Sequence, residues 1–207
     1  MQHIDVSFAL LPFTIRNNEL HLLLQTENGK YRIIDELLSE ESSLQKQVDK
    51  KLRMTIGTDK YYYEQLYTFD RIDHMKKPHA VVAYLTLISE EAVKSEEMSV
   101  NTKWFSLQET PAMELHEEYM VKYAQERLQN KIQYSNIAYG LLPEKFSLSE
   151  LQKVYEVILQ RRLDKRNFRK KMQATNLLKR TKERDSSGAH RPAQLFMFRS
   201  RQVLFFD

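Results

Sequence analysis

The chain has 207 residues, of which 42% are hydrophobic, and a formal net charge of +4. That apolar content supports one large or two small folded domains and excludes wholesale disorder. With no cysteine in the chain, disulfides, cysteine-ligated zinc, iron–sulfur clusters and thiol catalysis are excluded. No apolar run reaches the roughly 20 residues that span a bilayer. The apolar stretch 6–15 follows Asp5 without a basic lead-in, so it reads as a strand and not a signal peptide. The expectation is a cytoplasmic protein that makes no membrane contact. The four glycines, Gly29, Gly57, Gly140 and Gly188, stand far apart. A Walker or dinucleotide-type phosphate loop needs clustered glycines and is excluded.

The first half reads as strands around a helix. Val6, Phe8 and Leu10 alternate with Asp5, Ser7 and Ala9; Arg16-Asn17-Asn18 marks a turn, and Leu20, Leu22 and Leu24 continue the period of two. That pattern predicts a hairpin. Leu44, Val48, Leu52 and Ile56 share one helical face, and Gly57 is placed to end the helix. Segments 61–69 and 80–88 are rich in aromatic and β-branched residues and read as strands, as does the shorter 101–107. A helix is predicted over 113–128, with His116, Tyr119, Met120, Tyr123 and Leu128 inward.

The character then changes. Residues 1–130 carry 15 Lys and Arg against 21 Asp and Glu, a net of −6, whereas 131–207 carry 17 against 7, a net of +10. Charge segregated in this way points one end of the chain at a polyanion. We divide the chain into domains at 1–131 and 132–207. Ser147 and Glu150 form a capping box that opens a helix to Leu159, with Leu148, Leu151, Val154, Tyr155 and Ile158 buried. Asp164 to Asn167 repeats the capping pattern before a second helix ending near Ala174. Segments 177–184 and 192–198 are β-prone and flank the loop 185–191. Helix, turn, helix, hairpin is the winged variant of helix-turn-helix.

On the second helix, Phe168 and Met172 share one face, with Arg166 and Lys170 opposite and Arg169 and Gln173 beside them. Arg pairs bidentately with guanine and Gln with adenine in the major groove. The residues assigned to DNA are Lys165, Arg166, Asn167, Arg169, Lys170 and Gln173, with Arg191 and His190 at the hairpin tip. Arg161, Arg162, Lys171, Lys179, Arg180, Lys182 and Arg184 are expected to neutralise phosphates.

The element order of the first half resembles the Nudix family. Anchored on Gly57 and Leu52, the family's signature G-x5-E-x7-R-E-U-x-E-E-x-G-U falls on Glu36, Ser42, Lys50, Lys51, Met54 and Thr55. Lys, Met and Thr in place of glutamates do not hold a hard divalent cation. The reading is therefore that hydrolase chemistry is lost, with no catalytic residues, no metal and no cofactor. The stretches 141–152, 164–170 and 191–193 with the aromatic strand after them resemble the Nudix-related transcriptional regulators. That resemblance implies an α+β chain: a Nudix-like mixed α/β/α sandwich followed by a winged helix-turn-helix. It implies a homodimer in which the sensor domain takes a small-molecule effector and the winged helices bind double-stranded DNA at a palindromic operator. A sugar and ADP-ribose both stay open as effector, with a diphosphate disfavoured by the eroded loop. The rival is a nucleoside-diphosphate hydrolase with a basic accessory domain.

Tyr31, Arg32, Asp73 and His79 are assigned to the effector pocket. Asp70, Asp73, His74 and His79 form a weaker alternative as a metal cluster. Trp104 and Phe105 read as core. Tyr61-Tyr62-Tyr63 cannot all point inward on one strand, so one or two are expected at a subunit contact. The apolar tail 203–206 is expected to pair or pack on the winged domain, because left free it is an adhesive patch.

Overall fold

The computed structural model describes residues 4–72, 78–93, 98–185 and 192–206. Strands β1 (Asp5–Arg16) and β2 (Glu19–Glu27) form the expected hairpin, with Ile15 opposite Leu20. Asn17 and Asn18 both take positive φ, 51° and 62°. This is the conformation a two-residue turn needs to match strand twist, and Asn tolerates it. The strands β3 (Lys30–Arg32) and β4 (Ile34–Leu37) were not anticipated; three or four residues carry too little periodicity to register. Next come α1 (Leu44–Ile56), β5 (Tyr62–Ile72), β6 (Pro78–Leu87), β7 (Thr102–Ser106) and α2 (Leu115–Lys131).

These strands form one seven-stranded mixed sheet. Its main path is β3-β2-β1-β6-β5, with β4 on β1 and β7 on β2. β1 and β6 run parallel, from Asp5 opposite His79 to Phe13 opposite Leu87. Although residues 5 to 10 alternate in polarity, residues 7 to 14 of β1 are buried on both sides. Phe8 and Leu10 pack with Val48, Leu52 and Ile56 of α1. Ala9, Leu11 and Phe13 join the opposite core, with Met120, Ala124 and Leu128 of α2. Helices on both faces of the sheet give an α/β/α sandwich, in which both registers of a central strand are apolar.

The tyrosine triplet follows from the same geometry. Tyr62 points to one core and meets Tyr139 edge-on at 5.5 Å, while Tyr61 and Tyr63 pack on the other. Trp104 and Phe105 sit half-buried against opposite cores, as expected. The α2 face is rotated from the sequence expectation. Its buried residues are Glu117, Met120, Val121, Ala124, Leu128 and Lys131, and Tyr119 is 59% exposed. Tyr119 and Tyr123 instead stand at the rim, edge-on to Phe69 at 5.9 and 5.5 Å.

After α2 the chain enters a 3₁₀ turn at Ile137–Leu141, then β8 (Phe146–Ser147), α3 (Leu148–Leu159), α4 (Lys165–Ala174), β9 (Leu178–Asp185) and β10 (Ala193–Phe198). β8, β10 and β9 form a three-stranded antiparallel sheet. The 3₁₀ turn lies hard against the large sheet. A Cβ on Gly140 would stand 2.8 Å from Leu87 Cβ and 3.2 Å from Tyr62 Cβ. Gly140→Ala is therefore expected to destabilise the protein by about 1–3 kcal/mol, the usual cost of overpacking. Urea unfolding followed by circular dichroism measures it, and an unchanged midpoint would mean that the sheet yields.

Candidate nucleic-acid interface and sensor site

The helix pair is fixed by its caps. The Ser147 hydroxyl accepts from Glu150 N–H at 3.1 Å, and the Glu150 carboxylate accepts from Ser147 N–H at 2.7 Å. All five residues expected on the inner face of α3 are buried. Gln160 ends α3 in the left-handed region with φ 52°. Glu156 then closes the turn, accepting from Leu163 N–H at 2.8 Å and from the Gln152 amide at 3.0 Å. These bonds, the backbone one first, hold the Glu156 carboxyl below its ordinary pKa. The Asp164 carboxylate accepts from Asn167 N–H at 2.8 Å and so starts α4.

Phe168 and Met172 anchor α4, at 6% and 2% exposure. Phe168 meets Tyr155 edge-on at 5.1 Å. Burial contributes about 1.5–3 kcal/mol for each anchor. The outward face carries Lys165, Arg166, Asn167, Arg169, Lys170 and Gln173, all exposed. With Asp164 they line one open concavity, so the residues read from sequence as DNA-facing come together on a single surface. Lys179, Arg180, Lys182 and Arg184 are exposed along β9 beside it. Arg191 and His190 lie outside the described residues.

The Tyr31 ring stands edge-on to Phe105 at 4.6 Å. Arg32 pairs with Glu114 at 3.1 Å, Glu117 at 3.4 Å and Glu27 at 3.8 Å. Burial opposes its charge, but Glu117 and Glu114 outweigh that and leave the Arg32 pKa raised. Glu117 is 4% exposed and also accepts from the backbone N–H of Ile33 at 3.1 Å and of Glu114 at 3.0 Å. Sequence reasoning missed this carboxylate. Its signal was the spacing of Glu114 and Glu117 after Pro111, which is that of a capping box. His79 is buried on β6, with Nε2 2.8 Å from Ser7 Oγ. β2 and β1 lie between the strands that carry Arg32 and His79. Asp73 and His74 lie outside the described residues.

On α1 the aligned signature positions hold no acidic set. Lys51 Nζ is 2.8 Å from Glu36 Oε2, and Met54 is 65% exposed. Among the described residues no group of three or more His, Asp or Glu is placed to hold a metal, and no helix is long and apolar enough to cross a membrane.

A mixed α/β/α sandwich with a lysine where the signature's first clustered glutamate belongs, continued by a winged helix with a cationic recognition surface, defines a class: a Nudix-like domain joined to a DNA-binding module. Comparison with known proteins agrees. Residues 138–198 match the NrtR DNA-binding winged helix domain. The chain is 30% identical over 165 residues to an "ADPR responsive transcriptional repressor NtrR" of Acinetobacter baylyi, a match covering 78% of this chain and 66% of that protein. It superposes on the crystal structure of Shewanella oneidensis NrtR complexed with a 27mer DNA, with a TM-score of 0.84, 25% identity and 93% coverage of both chains. The fold of its sensor part is also that of the NUDIX domain of the Shewanella protein complexed with ADP ribose, with a TM-score of 0.51, 22% identity, and coverage of 62% of this chain and 90% of that one. The winged-helix part thus matches the NrtR DNA-binding domain, and the chain as a whole shares the two-part fold of NrtR.

Removing the Asp164 side chain (Asp164→Ala) is expected to cost about 1 kcal/mol, the usual value of an N-cap, and to fray the first turn of α4. Amide hydrogen exchange at Asn167 and Phe168 reads this directly; unaltered protection would show that the anchors alone hold the helix.

Proposed function

We propose that this protein is a cytoplasmic, homodimeric transcriptional regulator that binds a palindromic operator and changes its grip when a small molecule occupies the Nudix-like domain. The observation that carries this reading is the outward face of α4. Arg166, Asn167, Arg169, Lys170 and Gln173 are exposed together, opposite the two apolar anchors. A helix held in that way presents side chains to base edges while the β9 cations meet phosphates. Lys165 at the start of α4 is assigned to the backbone, and Arg191 to the backbone or the minor groove. The domain boundary is placed between Lys131, where α2 ends, and Ile132.

The effector we favour is ADP-ribose, because a relative at 30% identity is named for its response to it. Tyr31, Arg32, Asp73 and His79 are assigned to its pocket, with Arg32 exchanging a glutamate partner for the ligand's phosphate. Hydrolysis is not part of the reading, since Lys51, Met54 and Thr55 offer no carboxylate to a divalent cation. The second copy is assigned to the exposed aromatic patch on β5 and α2. There Tyr67 is 53% and Tyr119 59% exposed beside Phe69 and Tyr123.

Fluorescence anisotropy with duplexes from the protein's own promoter region tests the DNA reading. The affinity is expected to fall with salt, with a log–log slope of about 0.9 per phosphate contact. Arg166→Ala and Arg169→Ala are each expected to cost about 1–3 kcal/mol on the preferred duplex and to flatten discrimination between sequences. Equal, weak binding to all duplexes would sink the proposal. For the dimer, light scattering of Tyr67→Glu/Tyr119→Glu is expected to show a monomer with weakened operator binding. A wild type that is already monomeric would remove the palindrome from the reading.

A further inference from the structure

Asn136 sits between the two halves of the chain and is 1% exposed. Every polar group it owns is used. Its side-chain amide donates to Ser200 O at 3.2 Å and to Gln202 O at 3.0 Å, and its Oδ1 accepts from Leu204 N–H at 2.7 Å. Its backbone N–H donates to Leu204 O at 3.1 Å, and its carbonyl accepts from Tyr139 N–H at 3.0 Å. Phe206 N–H adds a bond to Tyr134 O at 2.8 Å. The segment 200–206 is thus laid along 134–136 and bonded there like a short extra strand, with Ser135 bridged to Phe205.

Two further links make this more than a tied-down terminus. On the sensor side, Ser135 Oγ donates to the carbonyl of Lys131, the last residue of α2, at 2.7 Å. Lys131 Nζ pairs with Glu64 on β5, and Glu64 also accepts from Tyr62 Oη at 2.5 Å. On the DNA side, Lys171 of α4 lies over the Phe206 ring, 5.7 Å from its centroid. Large clefts flank the junction. One, of about 730 Å³, opens between the β1–β2 turn and the α3–α4 turn; the other, of about 590 Å³, lies between Tyr61–Tyr63 and Tyr139–Glu144. Clefts on two sides leave the winged helix room to rock against the sheet.

We propose that Asn136 is a positioning residue: it clamps the C-terminal segment 200–206 as a strap that fixes the pose of α4 relative to the large sheet, and the strap carries the effector's signal to the DNA-binding face. The signalling half of this rests on the regulator reading above; the mechanical half does not. Buried amide-to-backbone bonds are costly to leave unmade, so the strap has two well-separated states, seated and released. A two-state element of that kind is what coupling between sites requires.

The chain's lack of cysteine makes the test direct. Glu126→Cys on α2 and Lys182→Cys on β9 are both exposed and take a pair of spin labels. Labelled chains diluted into excess unlabelled protein report the distance within one protomer, without DNA. Leu204→Pro removes the N–H that Asn136 Oδ1 accepts from and leaves the core untouched. Asn136→Asp, nearly isosteric, removes both side-chain donations. The wild type is expected to give one narrow distance distribution and each variant one roughly twice as wide, as for a freed hinge, with an unchanged circular dichroism spectrum. If Asn136→Asp does not fold, Leu204→Pro decides alone; a folded Leu204→Pro protein with the wild-type width overturns the clamp. Operator binding is then measured with and without ADP-ribose. A wild type that responds beside a Leu204→Pro protein that does not supports the signalling role, and equal responses overturn it. Broadened distances with no ADP-ribose response in any chain would leave the clamp standing and refute the effector reading instead.

Discussion

The inner face of α2 has to satisfy two partners at once, and the arrangement of the molecule depends on how it does so. Met120, Ala124 and Leu128 belong to one uninterrupted apolar cluster. It begins at Ala9, Leu11 and Phe13 of the sheet, passes through Ile132, Ile137 and Tyr139, and continues to Leu151, Ile158, Phe168 and Phe198 of the winged helix. Among the described residues that cluster runs between the clefts from the sheet into the winged helix. Interiors packed at this density move as discrete bodies, because a partial displacement opens voids. The first turn of α2 holds Arg32 through Glu114 and Glu117, and its last turn holds Glu64 through Lys131.

The electrostatics follow the same division of labour. Three acidic residues of the first part are held by partners within the chain: Glu117 takes two backbone amides and Arg32, Glu64 takes Lys131 and Tyr62, and Glu36 takes Lys51. Of the winged part's cations, Lys145 is paired with Glu183. On α4 no ion pair among the described residues joins Lys165, Arg166, Arg169 or Lys170. Unpaired, solvated cations on one helix face contribute nothing to folding, and their mutual repulsion costs some stability. A phosphate backbone is the partner we propose for them.

The loss of the Nudix acidic set has a structural counterpart. Lys51 and Glu36 form an ion pair where the family signature places a glutamate and a glycine, and Thr55 is buried, its carbonyl accepting from Ser99 N–H at 3.2 Å. The loop–helix element persists as a scaffold for the sheet, through Val48, Leu52 and Ile56. Val48, Leu52 and Ile56 are buried on the inner face of α1, and the signature's acidic positions hold Lys51, Met54 and Thr55.

The sequence by itself determined whatever depends on neighbours within a few residues. The Asn17-Asn18 turn, the α1 stripe with its Gly57 stop, both caps of the helix-turn-helix pair and the inward faces of α3 and α4 were legible, because turn chemistry, capping and helical period are local. The exposed cationic face of α4 was legible for the same reason, since opposite faces of one helix follow from 100° per residue. Only the tertiary structure decided the rest. That β1 is buried on both sides, that α2 turns Glu117 and Lys131 inward and Tyr119 outward, and that Arg32 is tied to Glu114 and Glu117 across more than 80 residues are outcomes of packing between distant segments. The tail was read from its apolar residues as a segment that pairs or packs; its backbone pairs at Asn136, through hydrogen-bonding groups 64 to 68 residues away along the chain, while Leu204 and Phe205 stay exposed. Periodicity tells which side of an element is apolar, but it holds no information about which of two available cores that side will join.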